Sequence, residues 1–324
     1  MALAGDYPAG DHFDGTRFFN PGETNKQGFR EFLTWVRNRR RGPWQEWVDI
    51  TPGPAPLACA GGDELRVTFV NHSTFLIQLA GLNILTDPVW SERCSPVSFA
   101  GPKRVHVPGI RFEDLPRIDI VLVSHNHYDH MDIATLQRLQ KQYAPRIYTP
   151  LGNRAVLARH GMRDVVEMDW WQELRLGDCL RLICVPARHF SSRGLRDQNK
   201  SLWSGFVIDG GPGAVYFAAD TGTGPHFEQI ASRFPDISTA LLPIGAFLPE
   251  WFMGPHHLSP ADAVRAHAVL KARTSIASHF GTFPLGDDGQ FEPETALLDA
   301  LRAADMDATR FLIPHPGEAF TDLR

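Results

Sequence analysis

From Leu65 onward the chain is a series of short apolar or β-branched runs separated by polar breaks: LRVTFV, TFLIQL, NILTD, DIVLVS, RIYTP, LRLICVPA, WSGFVID, AVYFAAD, TALLPI, TSIASH and TRFLIP. Runs of this length and composition predict strands. Between them, IATLQRLQKQY, LGNRAVLARHG, SPADAVRAHAVLKA and PETALLDALRAAD are helix-like segments. The third opens with Ser259 at the N-cap, Pro260 at N1 and Asp262 in the first turn, a helix start written in side-chain chemistry. The order of strands followed by helices occurs twice, before and after about residue 165, which predicts an α/β chain with two sheets face to face and helices outside. Upstream, residues 1–28 are rich in Gly, Pro, Asp and Asn and read as an irregular arm. FREFLTWVRNRRR then sets Phe29, Phe32, Leu33 and Val36 on one helical stripe, and Pro43 ends it. A Pro/Gly/Ala connector from Thr51 has no periodicity, so the expected division is an arm with a basic amphipathic helix over 1–64 and a main domain over 65–324.

Composition narrows the partners. Lys plus Arg number 32 against 37 Asp plus Glu, a formal charge of -5, so no overall positive field exists to gather nucleic acid. Four cysteines in 324 residues form no C-x-x-C pair and are too few for a disulfide framework, which suits a reducing compartment. The first twenty residues lack a basic and then apolar leader, and no stretch reaches the ~18 apolar residues of a membrane span. The expectation is a cytoplasmic protein, with oligomeric state left open.

One stretch concentrates the chemistry. SHNHYDHMD, residues 124–132, follows an apolar run and supplies His125, His127, Asp129 and His130 within six positions. In extended backbone His125 and His127 point the same way, and gathering four such groups without a cation leaves polar atoms desolvated. His189, Asp220 and His279 each end a predicted strand, where a sheet would hold them at one edge. Seven candidate ligands are too many for one tetrahedral ion and suit two ions bridged by a carboxylate and a solvent oxygen. Two zinc ions would bring the pKa of a shared water near neutrality and hold a phosphoryl oxygen, so a phosphodiester fits such a site. Asp87 and Asp132 are acidic partners placed to orient the histidines.

The order H-x-H-x-D-H, a lone His, an Asp before a Gly turn and a late His resembles the metallo-β-lactamase superfamily. That resemblance implies an αββα sandwich with a binuclear metal site at one edge of the sheets. Within it, RFFNP, LTDPVWSERCSP, GPKR, LPRIDIVLVSHNHYDHMD, MDWWQE, ADTGTGPHFEQI, PIGAFLPEWFM, HHLSPADAV and SHFGTF resemble the N-acylphosphatidylethanolamine-hydrolysing phospholipase D family, from about residue 17 to 320. Carried over by position, the resemblance makes His125, His127 and His189 ligands of one zinc and Asp129, His130 and His279 ligands of the other, with Asp220 bridging. His257 would then stand beside the metals as a substrate-orienting or proton-transfer residue. Asp129, Asp220 and His257 are thus the catalytic candidates, and His72 lies near the site without being a ligand. The implied reaction converts an N-acylphosphatidylethanolamine-like lipid to N-acylethanolamine and phosphatidic acid through a metal-bridging hydroxide. Where mammalian members carry Gln-Tyr, this chain has Ser98-Phe99, and its amino-terminal arm differs.

Other positions stay two-sided. His256 is expected to face solvent, His315 to be either structural or near the pocket, and AFLPEWFM to be either core or the wall of a lipid pocket. Residues 29–47 combine an apolar stripe with Arg30, Arg37, Arg39, Arg40 and Arg41 and three tryptophans. They read as a peripheral contact with the inner face of the membrane or as a helix packed on the main domain with a solvated basic edge. The rival functions are a lactone or ester hydrolase of the same fold, since the same hydroxide attacks carbonyl carbon, and a non-catalytic metal-binding membrane-surface protein.

Overall fold

The computed structural model describes residues 7–22, 28–62, 64–177, 179–194, 196–211 and 213–321. Six strands come first: β1 (Arg66–Asn71), β2 (Thr74–Leu79), β3 (Leu82–Thr86), β4 (Ile120–Leu122), β5 (Arg146–Pro150) and β6 (Val165–Met168). Seven more follow: β7 (Glu173–Leu176), β8 (Leu180–Val185), β9 (Gly205–Asp209), β10 (Ala214–Phe217), β11 (Ile237–Pro243), β12 (Thr274–Ser278) and β13 (Phe311–Leu312). The last strand, β14 (Ala319–Phe320), returns to the first group. The result is two seven-stranded sheets, ordered β14-β1-β2-β3-β4-β5-β6 and β13-β12-β11-β10-β9-β8-β7. The helices are α1 (Phe29–Asn38), α2 (Ile133–Gln142), α3 (Arg154–Arg159), α4 (His226–Arg233), α5 (Glu250–Met253), α6 (Pro260–Leu270) and α7 (Glu292–Ala303).

Side-chain alternation explains the layers. β2 sends Phe75, Ile77 and Leu79 into the large core shared with the second sheet and Leu76 to the opposite face, and β4 splits Ile120 and Leu122 from Val121 in the same way. On that outer face Leu136, Leu139 and Leu157 of α2 and α3 cover the first sheet. Leu270 of α6 and Leu297 and Leu301 of α7 belong to the large core with the second sheet. A strand buried on both faces needs a covering layer on each side, so the chain adopts an αββα sandwich. Ser259 caps α6 as expected: its hydroxyl accepts from the Asp262 N–H, and the Asp262 carboxylate accepts from the Ser259 N–H at 3.1 Å.

The amino-terminal segment is fastened to this sandwich. Phe13 and Phe18 are buried with Ala187, Leu202 and Trp203, each worth about 1.5–3 kcal/mol of apolar burial. Asn20 donates from Nδ2 to the carbonyl of His189 at 2.9 Å, and Trp203 donates from Nε1 to Asn20 Oδ1 at 3.1 Å. The helix expected from Phe29 forms, and Phe32, Leu33 and Val36 of its stripe are 44%, 49% and 47% exposed. Trp35 stacks on Phe252 with ring centres 4.9 Å apart and donates to Asp287. Arg39 pairs with the same carboxylate at 2.8 Å. Among the described residues no helix is long and apolar enough to cross a membrane.

Candidate metal centre

Every candidate ligand leaves the carboxyl end of a strand, and the two sheets bring those ends to one edge. His125 to His130 follow β4, His189 follows β8, Asp220 follows β10 and His279 follows β12. Two glycines permit the close approach. A Cβ on Gly222, just past Asp220, would stand 2.4 Å from the Pro255 carbonyl oxygen, and one on Gly245 would stand 2.1 Å from the His279 carbonyl oxygen.

All seven side chains meet. His127 Nδ1 lies 2.9 Å from His125 Nε2 and 3.2 Å from His189 Nε2. His130 Nε2 lies 3.2 Å from both Asp129 Oδ2 and Asp220 Oδ2, and His279 Nε2 is 3.4 Å and 3.1 Å from the same two oxygens. Asp220 Oδ2 is also 3.6 Å from His189 Nε2, so this carboxylate stands between the two groups. His257 reaches it as well, with Nδ1 at 3.9 Å.

The outer atoms fix how the rings face. His189 donates from Nδ1 to the His256 carbonyl at 2.9 Å, which turns the lone pair of Nε2 inward. Asp87, fully buried, accepts from His130 Nδ1 at 2.7 Å and from the N–H and hydroxyl of Ser124 at 2.7 and 2.6 Å. It therefore orients His130 as expected. Asp132 does not orient a histidine; it caps α2 by accepting from Ala134 and also binds Ser91 and Thr135. The reason is position: Asp132 begins the helix, where free N–H groups compete for a carboxylate.

Electrostatics identify what the pocket accepts. Burial, and after it the imidazoles around it, push His125 well below the ordinary histidine value; burial does the same to His189, and His127 falls to about 4. These are neutral donors. Burial alone would favour neutral acids at Asp129 and Asp220, yet His130 and then His279 hold both carboxyls well below their usual range. Reciprocally, burial opposes a charge on His130, but Asp220, Asp129 and Asp87 outweigh it and hold the ring well above its ordinary value; His279 is raised to about 9. Two carboxylates thus demand positive charge at one spot. His130 Nε2, His279 Nε2, Asp220 Oδ1 and His257 Nδ1 are buried without a hydrogen-bond partner. Three neutral imidazoles in one group and two carboxylates in the other, with inward atoms unpaired, fit divalent cations.

Reasoning from sequence missed several contributors. His72, expected near the site and outside the ligand set, stands beside Asp129, His130 and His279 with Nε2 3.0 Å from Asp129 Oδ2. Arg193 donates to the carbonyls of Asn126 and Met131, holding the loop that carries the candidate ligands, with its guanidinium 4.1 Å over the Tyr128 ring. His256 is not solvent-facing but half-buried against Phe190, because its carbonyl must reach His189. His315 is exposed. Within AFLPEWFM, Phe247 and Met253 are buried in keeping with a core role, while Trp251 is 52% exposed.

Residues 82–280 match the sequence profile of the family described as "Beta-lactamase superfamily domain". A Caenorhabditis elegans protein named N-acyl-phosphatidylethanolamine-hydrolyzing phospholipase D 1 is 38% identical over 267 residues, covering 78% of this chain and 75% of that one. A mitochondrial protein of the same name from Saccharomyces cerevisiae is 33% identical over 276 residues, covering 77% and 58%. Among solved structures, an isothiocyanate hydrolase from Delia radicum gut bacteria superposes with a TM-score of 0.63 at 23% identity, over 79% of this chain and 98% of that one, a likeness of fold.

Proposed function

Since the chain belongs to the metallo-β-lactamase superfamily and is a metal-dependent hydrolase, we propose that it is a zinc phosphodiesterase cleaving N-acylphosphatidylethanolamine-like lipids. In this reading His125, His127 and His189 would hold one Zn2+, Asp129, His130 and His279 would hold the second, and Asp220 would be shared between them. The observation that carries it is Asp220, whose single oxygen lies within 3.6 Å of histidines from both groups. The nematode and yeast relatives supply the substrate class.

Bound ions of this kind supply Lewis acidity to a phosphoryl oxygen and hydroxide near neutral pH. The chain does the rest. Asp129 and Asp220 keep the centre from carrying the full cationic charge, and the carbonyl of His256 and the carboxylate of Asp87 hold the rings of His189 and His130 in place. The N-acylethanolamine leaves as an alkoxide, a poor leaving group that needs a proton. Burial pushes His257 down to about 4, so its ring is neutral; Nδ1, buried, unpartnered and beside Asp220, is placed to accept the proton that water loses and pass it to the leaving oxygen. Oxygen from water ends on phosphorus and its proton on the released alcohol.

Peripheral contact at the inner membrane face belongs to the same proposal. The outward stripe of α1 lies next to the exposed Arg30, Arg37, Arg40 and Arg41, a composition suited to an anionic interface, whereas Arg39 is spent on Asp287. Salt-sensitive sedimentation with anionic vesicles, unchanged by neutralising Arg40 and Arg41, would remove it.

Hydrolysis in oxygen-18 water tests the chemistry. The label should appear in the phosphate of phosphatidic acid and not in the alcohol. Label in a free fatty acid would mean carbonyl attack and an ester or lactone hydrolase.

A further inference from the structure

His72 occupies the turn between β1 and β2, in the first sheet, and every polar group it shows to the centre is engaged there. Its N–H donates to Thr282 Oγ1 at 3.0 Å, and its carbonyl accepts from the His279 N–H at 2.8 Å. Its Nε2 lies 3.0 Å from Asp129 Oδ2. Since an ionised carboxylate can only accept, Nε2 carries the proton and donates. The ring is wedged between His279, with centres 4.1 Å apart, and the edge of Phe283 at 5.4 Å.

The backbone shows that this position is enforced. His72 and His279 both have left-handed φ, +50° and +59°, a conformation that L-residues avoid. Two such residues joined by a backbone hydrogen bond, one from each sheet, persist only where surrounding contacts over-determine them, and such residues concentrate at functional sites.

We propose that His72 is a positioning residue for the second metal cradle, aiming the Asp129 carboxylate through Nε2–H while its carbonyl fixes His279. The inference rests on the two-metal reading above. Asp129 Oδ2 also lies 3.2 Å from His130 Nε2 and 3.4 Å from His279 Nε2, so a third group donating to it bears on where that oxygen points. His72 Nδ1 is buried and turned away from any partner, so the ring works through its donor and its bulk. No hydrogen bond, ion pair or ring contact joins His72 to His125, His127 or His189.

Substitution separates donor from bulk. His72→Gln keeps an amide donor near the Nε2 position, and His72→Phe keeps the ring and removes the donor; His72→Leu replaces the latter if it does not fold. Metal-free protein is titrated with zinc against a competing chelator, with circular dichroism reporting the fold. The phenylalanine variant should bind one ion like wild type and the other about 10–100-fold more weakly, and the glutamine variant should stay close to wild type. A phenylalanine variant holding both ions as tightly as wild type overturns the proposal. Equal loss in the folded glutamine and phenylalanine variants also overturns it, by making His72 itself a ligand. A wild-type chain that takes up fewer than two ions fails the two-metal reading, and this inference with it.

Discussion

Exchanging Asp87 for Asn should dissociate metal binding from folding, because one carboxylate serves both through different oxygens. Oδ1 accepts the Ser124 N–H, while Oδ2 accepts the Ser124 hydroxyl and His130 Nδ1, all within 2.6–2.7 Å in a fully buried site. Asp87→Ala would orphan the Ser124 N–H and the His130 Nδ1–H; the hydroxyl can turn toward His125 Nδ1 at 2.9 Å. Two orphaned donors at about 1–3 kcal/mol each give a loss of about 2–6 kcal/mol. Asp87→Asn keeps the acceptor for Ser124 and presents an amide N–H to His130. His130 must then give up its Nδ1 proton and keep one on Nε2, where it meets the carboxylates of Asp129 and Asp220 at 3.2 Å and opposes a cation. The fold should survive with about 1–2 kcal/mol lost, while zinc affinity of that cradle falls about 10–100-fold, or about 1.4–2.7 kcal/mol. Chelator competition and urea denaturation of the metal-free protein read the two effects separately. An asparagine variant that keeps wild-type zinc affinity, or that is as unstable as the alanine variant, would refute the reasoning.

Three further outcomes are expected. His257→Ala should lower turnover by about 10²–10⁴ with metal content intact, and loss of zinc would make it a ligand alongside His189 and Asp220, with which it forms a potential cation group. Phe18→Ala should cost about 3–5 kcal/mol in urea denaturation if the arm is part of the folded core; a cost under about 1 kcal/mol would mean that it only lies against it. Burial, and then Arg188, push His226 down to about 3. The unfolded chain takes up this proton near the ordinary value of 6.5 and the folded chain does not, so stability is full above pH 6.5 and falls as pH drops toward 3. By pH 4.5 the loss is about 2–3 kcal/mol, and His226→Leu should flatten that limb in thermal melts relative to its own value at pH 7; an unchanged slope counts against it.

Local signals were legible in the sequence and contacts at a distance were not. The loop 124–132 carries its candidate ligands side by side, and His189, Asp220 and His279 follow strands with clear apolar runs, so their convergence could be reasoned from strand ends alone. The break between the sheets was also legible, since β6 ends at Met168 and β7 starts at Glu173. The edge strands β6, β7 and β14 were not, because half-exposed strands of two to four residues lack a burial period. α4 was missed because Pro225 gives it no side-chain cap. His72 and Asn20 act through Asp129 and the His189 carbonyl, 57 and 169 positions away, and only the folded chain reveals such partners.

Each cradle draws on both layers of the sandwich. His125 and His127 come from the first sheet and His189 from the second; Asp129 and His130 come from the first and His279 from the second. A cation in either place is therefore a rivet between layers, and its binding energy is also energy of sheet docking. During synthesis the first cradle lacks a member until His189 has left the ribosome, and the second until His279 has. A chain stalled before β12 can bury apolar surface, but it does not hold both candidate cradles complete.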